Sequence, residues 1–375
     1  MLEGLSFGWR SAVLSVAAAQ LLFLAVALLR PVQNRNANRA LAALLVIAVG
    51  VFTPWLIGFA GFYDKWRWLS FAPFSITLAI APLFYLYVNG LTRGVLPERA
   101  LLHLAPAALQ FGYLALCFVA LRQPFKNEWL STQSDIYGFL TGAGVIVGCV
   151  HYGLKCQYLL RRYRTRLAQE RSDDHRYAAE WISRSIGALF IFLTLFAAYE
   201  VWNLFDPLGY RGLMGLYLGV AAFALYLAVE GWRHAALAFP KMELAAQPEA
   251  SAPEARDWSV QGIQWAEAVR NARWHADPEL SLADLARRLG TNTNYLSRAL
   301  NEGLGVNFAT FINGLRSDNV ASLIRAGDRR DLLDLALEAG FSSKASFNRA
   351  FAARFGVSPS AYRRAQASNQ EKSAN

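Results

Sequence analysis

The chain is written in two rhythms. Up to about residue 232 it consists of long apolar runs separated by short polar or basic loops; beyond about residue 259 apolar residues recur every three or four positions in short segments. The first rhythm fits helices that are greasy all round, the second fits helices that bury one face only. Apolar runs occupy roughly 11–29, 40–62, 68–91, 100–121, 136–160, 182–205 and 212–232, and each meets the ~20 residues that a bilayer-crossing helix needs. The pattern predicts an all-α protein: a polytopic seven-helix membrane domain at 1–235, a flexible linker at 236–258, a soluble helical domain at 259–366 and a polar tail at 367–375.

The C-terminal domain carries one motif twice. SLADLARRLGTNTNYLSRALNEGLGVNF is followed by DLLDLALEAGFSSKASFNRAFAARFGVSP. Leu282, Leu285, Ala286 and Gly290 return as Leu332, Leu335, Ala336 and Gly340; after the turn, Leu296, Arg298, Leu300 and Gly305 return as Phe347, Arg349, Phe351 and Gly356. The offset grows from 50 to 51, so the second copy has one extra residue in its turn. Each copy reads as a helix-turn-helix: a short helix with an apolar face, a small Ala at the crossing, a Gly where the turn needs relaxed backbone, then a second helix. The first reading helix is expected from about Asn292 to Glu302, burying Leu296 and Leu300. It presents Asn292, Asn294, Tyr295, Ser297, Arg298 and Asn301, side chains able to bond base edges or phosphates. The second presents Ser343, Lys344, Ser346, Asn348, Arg349 and Arg354, and Arg363 just beyond it suits phosphate or solvent. Between the copies, Phe308, Phe311, Ile312, Leu315, Val320, Leu323 and Ile324 have helical spacing, predicting a linking helix that fixes their separation. Two such helices held rigidly suit successive major grooves, about 34 Å apart.

Residues 275–364 resemble the DNA-binding domain of the AraC/XylS family of bacterial transcription regulators. The resemblance is carried by HADPELSLADLARRLG, NYLSRALNE, NFATFINGLR and ALEAGFSSKASFNRAFAARFGVSPSAYRR, above all by Gly340-Phe341, Phe347, Arg349, Phe351, Gly356, Ser358-Pro359 and Tyr362-Arg363. It implies a double helix-turn-helix that binds double-stranded DNA. Two positions depart from the family pattern: Ala345 stands where Ser is usual, and Val320 where a small Ala is usual. Family members usually carry a soluble sensing domain in place of the apolar region found here.

Charge then orients the chain. The formal net charge of +10 suits either nucleic acid or an anionic membrane face. Loops after the first, third and fifth runs hold Arg30, Arg35, Arg39, Arg93, Arg99, Arg161, Arg162, Arg164, Arg166, Arg171 and Arg176; the opposite side holds only Arg10, Lys65, Arg67, Arg122, Lys126 and Arg211. The positive-inside bias places the N-terminus outside and the C-terminal domain in the cytoplasm, where DNA is. The basic run at 161–166 is better read as this anchoring than as a nucleic-acid patch. An inner bacterial membrane location follows as an expectation.

Candidate chemistry is sparse. Cys117, Cys149 and Cys156 lie in or beside apolar runs without metal-ligand spacing, so no metal or cofactor is expected. No HExxH and no phosphate-binding glycine loop marks an enzyme. Near the outer ends of the runs, Glu200, Asn203, Trp55 and Asp135 are candidates for lining a signal-sensing pocket, with headgroup or water contact as the plainer reading of Glu200. The expected function is a membrane-embedded, DNA-binding transcriptional regulator; a transporter or enzyme with a fused DNA reader, and a passively anchored regulator, are the alternatives. Expected partners are DNA and the lipid bilayer, with a second copy of the chain, RNA polymerase and an unidentified small-molecule or membrane signal as further candidates.

Overall fold

The structure, a computed structural model, describes residues 5–122, 124–172, 177, 179–205, 212, 214–240 and 257–374. The linker expected at 236–258 falls largely on residues 241–256, outside the described residues. Contacts divide the chain into two compact units: Met1–Leu160 with Glu180–Glu243, and Arg161–Ala179 with Leu244–Asn375. The described residues are helical throughout, apart from turns and one isolated β-bridge between Arg171 and Ser281.

The first unit holds α1 (Trp9–Leu28), α2 (Arg35–Phe59), α3 (Ile80–Arg93), α4 (Ala105–Ala120), most of α5 (Phe125–Glu170), α6 (Glu180–Phe205) and α7 (Met214–His234). Among the described residues, six helices are long and apolar enough to cross a membrane. Close packing on α2 comes from small residues: a Cβ on Gly90 would lie 2.9 Å from the Ala37 nitrogen, and one on Gly231 would run into Leu41. The end of α7 is tied to the start of α2, where Asn34 Nδ2 donates to the Leu237 carbonyl (2.7 Å) and Asn38 Nδ2 to that of Ala235 (3.4 Å). These bonds satisfy carbonyls beyond the end of α7 that no helix partner reaches.

The apolar run at 68–91 does not form one long helix. Only α3, 14 residues, is α-helical there; single 3₁₀ turns at Arg67–Leu69 and Thr77–Ala79 precede it, and Phe71 has φ +66°. Irregular backbone among apolar helices needs partners from the protein itself. Gln110 supplies them: its Oε1 accepts from the Leu78 amide (3.0 Å), while Nε2 donates to Thr77 Oγ1 (3.2 Å) and Tyr137 Oη (3.0 Å). Lys126, 2% exposed, does the same at the other side of the break, donating to the Trp68 and Phe118 carbonyls at 3.0 and 3.2 Å.

The second unit holds α8 (Trp258–Asn271), α9 (Leu282–Arg288), α10 (Thr293–Arg298), α11 (Phe308–Arg325), α12 (Leu332–Glu338), α13 (Lys344–Phe355) and α14 (Pro359–Ala374). It has two small cores. Leu282, Leu285, Leu296, Leu300, Phe308 and Ile312 are buried in the first; Val320, Ile324, Leu335, Phe341, Phe347 and Phe351 in the second. α11 contributes to both, because its apolar positions change face along its 18 residues. Val320, fully buried, is accommodated in the second core.

Two positions in this unit generate tests. Gly340 has φ +100°, and a Cβ there would sit 2.7 Å from the carbonyl oxygens of both His275 and Ala276. Backbone strain and the clash add up, so Gly340→Ala should lower stability by on the order of 3 kcal/mol, read from a denaturant titration; a loss below ~1 kcal/mol would contradict this packing. His275 is 4% exposed, and burial holds its imidazole below the ordinary 6.5. The unfolded chain therefore binds a proton that the folded one does not. Stability should be intact above about pH 6.5 and fall as pH drops below it. The thermal midpoint of wild type against His275→Gln between pH 7.5 and 5 checks the sign: the slope should be shallower in the variant.

Candidate nucleic-acid interface

Each reading helix is built by its cap. Ser281 starts α9: its Oγ accepts from the Asp284 amide (3.2 Å) and lies 2.6 Å from the Asp284 carboxylate. That hydroxyl, with Arg287 beside it, holds the Asp284 carboxyl below its usual range. Gly290, φ +65°, closes the helix and turns the chain. Asn292 then caps α10, its Oδ1 accepting from the Tyr295 amide at 2.8 Å. The second module repeats the design, with Asp331 capping α12 and Ser343 capping α13. Capping of this kind is typically worth ~1 kcal/mol.

The first reading helix is shorter than its sequence suggests. α10 ends at Arg298 and the chain widens into a π turn at Ala299–Gly303. The cause is α8, which crosses here: a Cβ on Gly262 would lie 2.8 Å from the Ala299 carbonyl, and one on Gly303 would collide with the Trp258 carbonyl. This crossing sets Trp258 beside the helix, 5.7 Å from the Tyr295 ring and 4.7 Å below the Arg298 guanidinium. Arg298 also grips Glu302 through Nε (2.9 Å) and Nη2 (3.2 Å), which holds the Glu302 carboxyl below its usual range.

Of the residues expected to face DNA, Asn292, Asn294, Asn301, Ser343, Lys344, Asn348, Arg349 and Arg354 are exposed, and Tyr295, Ser297, Arg298 and Arg363 are half-buried. Ser346 differs from expectation: it is 8% exposed, its hydroxyl donating to the Ser343 carbonyl (2.8 Å), because the first turn of α13 folds it inward. Ala345 beside it is exposed and leaves the cap intact. Asn301 donates to Ser297 Oγ (3.1 Å). Arg363 Nη1 donates to the Arg330 carbonyl (2.8 Å), tying α14 to the start of the second module.

Two arginines fix the modules in relation to each other. Arg354 of α13 makes a paired contact with Asp318 of α11, both bonds 3.0 Å. Arg316, 1% exposed on α11, donates to the His275 carbonyl (2.7 Å), the Asp277 carbonyl (2.8 Å) and Asn313 Oδ1 (3.2 Å). Sequence reading passes over Arg316 and Asp318, since their partners are 41 and 36 residues away. Between α8, α11 and α13 lies an open cavity of about 710 Å³, lined by Ile263, Arg270, Phe311, Asp318, Arg349 and Arg354.

Of the candidate sensing residues, Trp55 stacks on Tyr217, ring centres 4.4 Å apart. The side chains of Glu200, Asn203 and Asp135 lie outside the described residues. Among the described residues no group of three or more His, Cys, Asp or Glu is placed to hold a metal.

Residues 285–365 match a family described as a helix-turn-helix domain. An uncharacterized HTH-type transcriptional regulator of Staphylococcus aureus (strain MSSA476) is 37% identical over 89 residues, 24% of this chain and 12% of the relative. The HTH-type transcriptional regulator CdhR of Pseudomonas aeruginosa is 30% identical over 103 residues, 28% of this chain and 30% of the relative. The chain thus spans well under half the length of these relatives. Among solved structures, the C-terminal domain of AraT, a response regulator from Geobacillus stearothermophilus, matches 29% of this chain and 88% of its own length at 24% identity, with a TM-score of 0.26. Residues 285–365 are thus similar to a helix-turn-helix domain, and the relatives named here are HTH-type transcriptional regulators.

Proposed function

We propose that this protein is a membrane-embedded, one-component transcriptional regulator: apolar helices hold it in the bacterial inner membrane, and the cytoplasmic double helix-turn-helix binds promoter DNA in response to a membrane or extracytoplasmic signal. The observation that carries this reading is one continuous chain that has, among its described residues, six bilayer-length apolar helices and two capped reading helices on a shared linking helix. Counted with the interrupted run at 68–91 as a seventh crossing, the loop charge bias supports an orientation with the C-terminal domain on the DNA side. Asn292, Asn294, Tyr295, Ser297, Asn301, Ser343, Lys344, Asn348 and Arg349 are the proposed contacts to bases and phosphates, with Arg363 on phosphate. Arg298 joins them once phosphate replaces Glu302, because an exposed ion pair is held weakly in water. No catalytic step is required. Dimer formation would strengthen binding at paired sites.

Genome-wide crosslinking of the intact protein in its own cells tests the reading, with the Arg298→Ala/Arg349→Ala double variant as control. Discrete sites in wild type, lost in the variant, are expected. Absence of discrete sites across growth conditions would remove the regulator reading in favour of a membrane role with a fused DNA reader.

On a duplex recovered that way, Lys344→Ala and Arg349→Ala should each reduce the slope of log affinity against log salt by ~1 and weaken all sequences alike if they touch phosphate. An unchanged slope and affinity would exclude the residue from the interface. Arg354 behaves differently if it is a strut. Asp318→Ala and Arg354→Ala should then weaken DNA binding equally, without altering the salt slope, and their coupling in stability should stay below about 1 kcal/mol. A slope change confined to Arg354→Ala would make it a phosphate contact instead.

A further inference from the structure

The second unit contains a piece of chain that the helix-turn-helix pattern does not account for. Arg171 and Ser172, directly after α5, are packed against the first module although they precede it by more than 100 residues. Ser172 is 2% exposed. Its Oγ donates to the Leu280 carbonyl (3.3 Å), and its own carbonyl accepts from Asn313 Nδ2 (2.9 Å). Arg171 pairs with Ser281 in an isolated antiparallel bridge, reaches Glu279 at 3.4 Å and lies 5.0 Å from the Tyr177 ring. The residues engaged are not peripheral. Leu280 belongs to the first core, Ser281 caps α9, and Asn313 sits on the linking helix.

Asn313 is the pivot. While its Nδ2 donates to Ser172, its Oδ1 accepts from Arg316 Nη1 (3.2 Å), and Arg316 in turn holds the His275 and Asp277 carbonyls. Asp277 closes the chain of contacts on Arg288, the last residue of α9, at 2.7 Å. One path of contacts therefore runs from Ser172 through Asn313, Arg316 and Asp277 to Arg288 at the C-terminal end of α9, while Ser172 and Arg171 themselves meet Leu280 and Ser281 at its start. The contact is also of a reversible kind: a few polar bonds and one ion pair, whose carbonyl and amide groups water would satisfy on separation.

We propose that the Glu279–Ser281 strip together with Asn313 is a docking surface for the chain's own Arg171–Ser172 segment, and that this clasp sets the DNA affinity of the first module. The regulatory half of this inference rests on the regulator reading above. Since Arg171 follows α5 without a break, with the Arg171 amide bonded to the Leu167 carbonyl at 2.9 Å, a change at the end of α5 reaches the clasp directly. The basic segment, beyond anchoring to lipid, thereby acquires a protein partner within the same chain.

The test uses the full-length protein in lipid nanodiscs. Asn313→Asp keeps an acceptor for Arg316 but replaces the donor to Ser172 with a repelling carboxylate, so it opens the clasp without unpairing the buried guanidinium. Arg171→Glu and Glu279→Arg each set like charges together, and the combined reversal restores attraction. Hydrogen exchange reads the clasp directly, and fluorescence anisotropy on the strongest crosslinked duplex reads its effect. Asn313→Asp and both single reversals should speed exchange at 279–282 at least fivefold and shift DNA affinity in one common direction by at least threefold. The double reversal should bring both back towards wild type. Exchange at 279–282 that no variant alters would overturn the clasp; faster exchange with unchanged DNA affinity would reduce it to a structural contact and overturn its regulatory role. Failure of the regulator reading has a different signature: wild type with both segments protected would bind the selected duplex no better than a scrambled one.

Discussion

The second unit depends on a buried charge. Arg316 lies almost wholly out of water in the middle of the linking helix, and a guanidinium in that position is tolerable only when its donors are used. They are used on main-chain carbonyls of His275 and Asp277, in the segment that leads into the first module, and on Asn313 of its own helix. The same His275 carbonyl, with that of Ala276, leaves no room for a side chain at Gly340 in the turn of the second module. A short stretch of backbone is thus held from one side by an arginine of the linking helix and approached from the other by a glycine of the second turn. The separation of the two reading helices follows from that arrangement, with the Asp318–Arg354 pair completing it near α13.

Much of this unit was legible in the sequence because a helix-turn-helix is made of local rules. Leu282, Leu285, Leu296 and Leu300 announce one core through their spacing, and Phe347 and Phe351 the other. Caps are local too, but their oxygens cannot be assigned from sequence. Asn292 and Ser343 look like DNA-facing polar residues, yet each spends an acceptor on its own helix. Ser346 looks exposed by position and is drawn inward by the same cap. What sequence reasoning could not reach were pairings across 36 to 141 residues, such as Arg354 with Asp318 and Asn313 with Ser172. A helix period says which face is buried and nothing about which distant carbonyl waits there.

In the apolar unit the run at 68–91 departs from its sequence reading for the opposite reason. Hydropathy measures composition, and the run at 68–91 is apolar enough to be read as a span whatever its backbone does. The break becomes affordable only because Gln110 and Lys126, two polar residues that seem out of place in apolar surroundings, reach back to the Leu78 amide and the Trp68 carbonyl. Their meaning appears only with the partner in view. A lone Gln in an apolar helix usually signals an interhelical hydrogen bond, and here that bond supports irregular backbone.

The two reading helices, alike in sequence, are unlike in their surroundings. Arg298 is stacked on Trp258 and paired with Glu302, and the helix beneath it opens into a π turn where α8 crosses on two glycines. The equivalent Arg349 stands on a regular 12-residue helix, exposed, at the edge of the cavity between α8, α11 and α13. Sequence equivalence therefore does not carry over to equivalent helix geometry. A phosphate approaching Arg298 must displace a carboxylate that already uses two of its donors. The first module begins with its charge partly neutralised and its geometry set by α8 and by the strip at Glu279–Ser281. The second module is held differently, by a core of packed phenylalanines, Phe341, Phe347, Phe351 and Phe355, with the ion pairs of Arg330 and Arg354 at its surface.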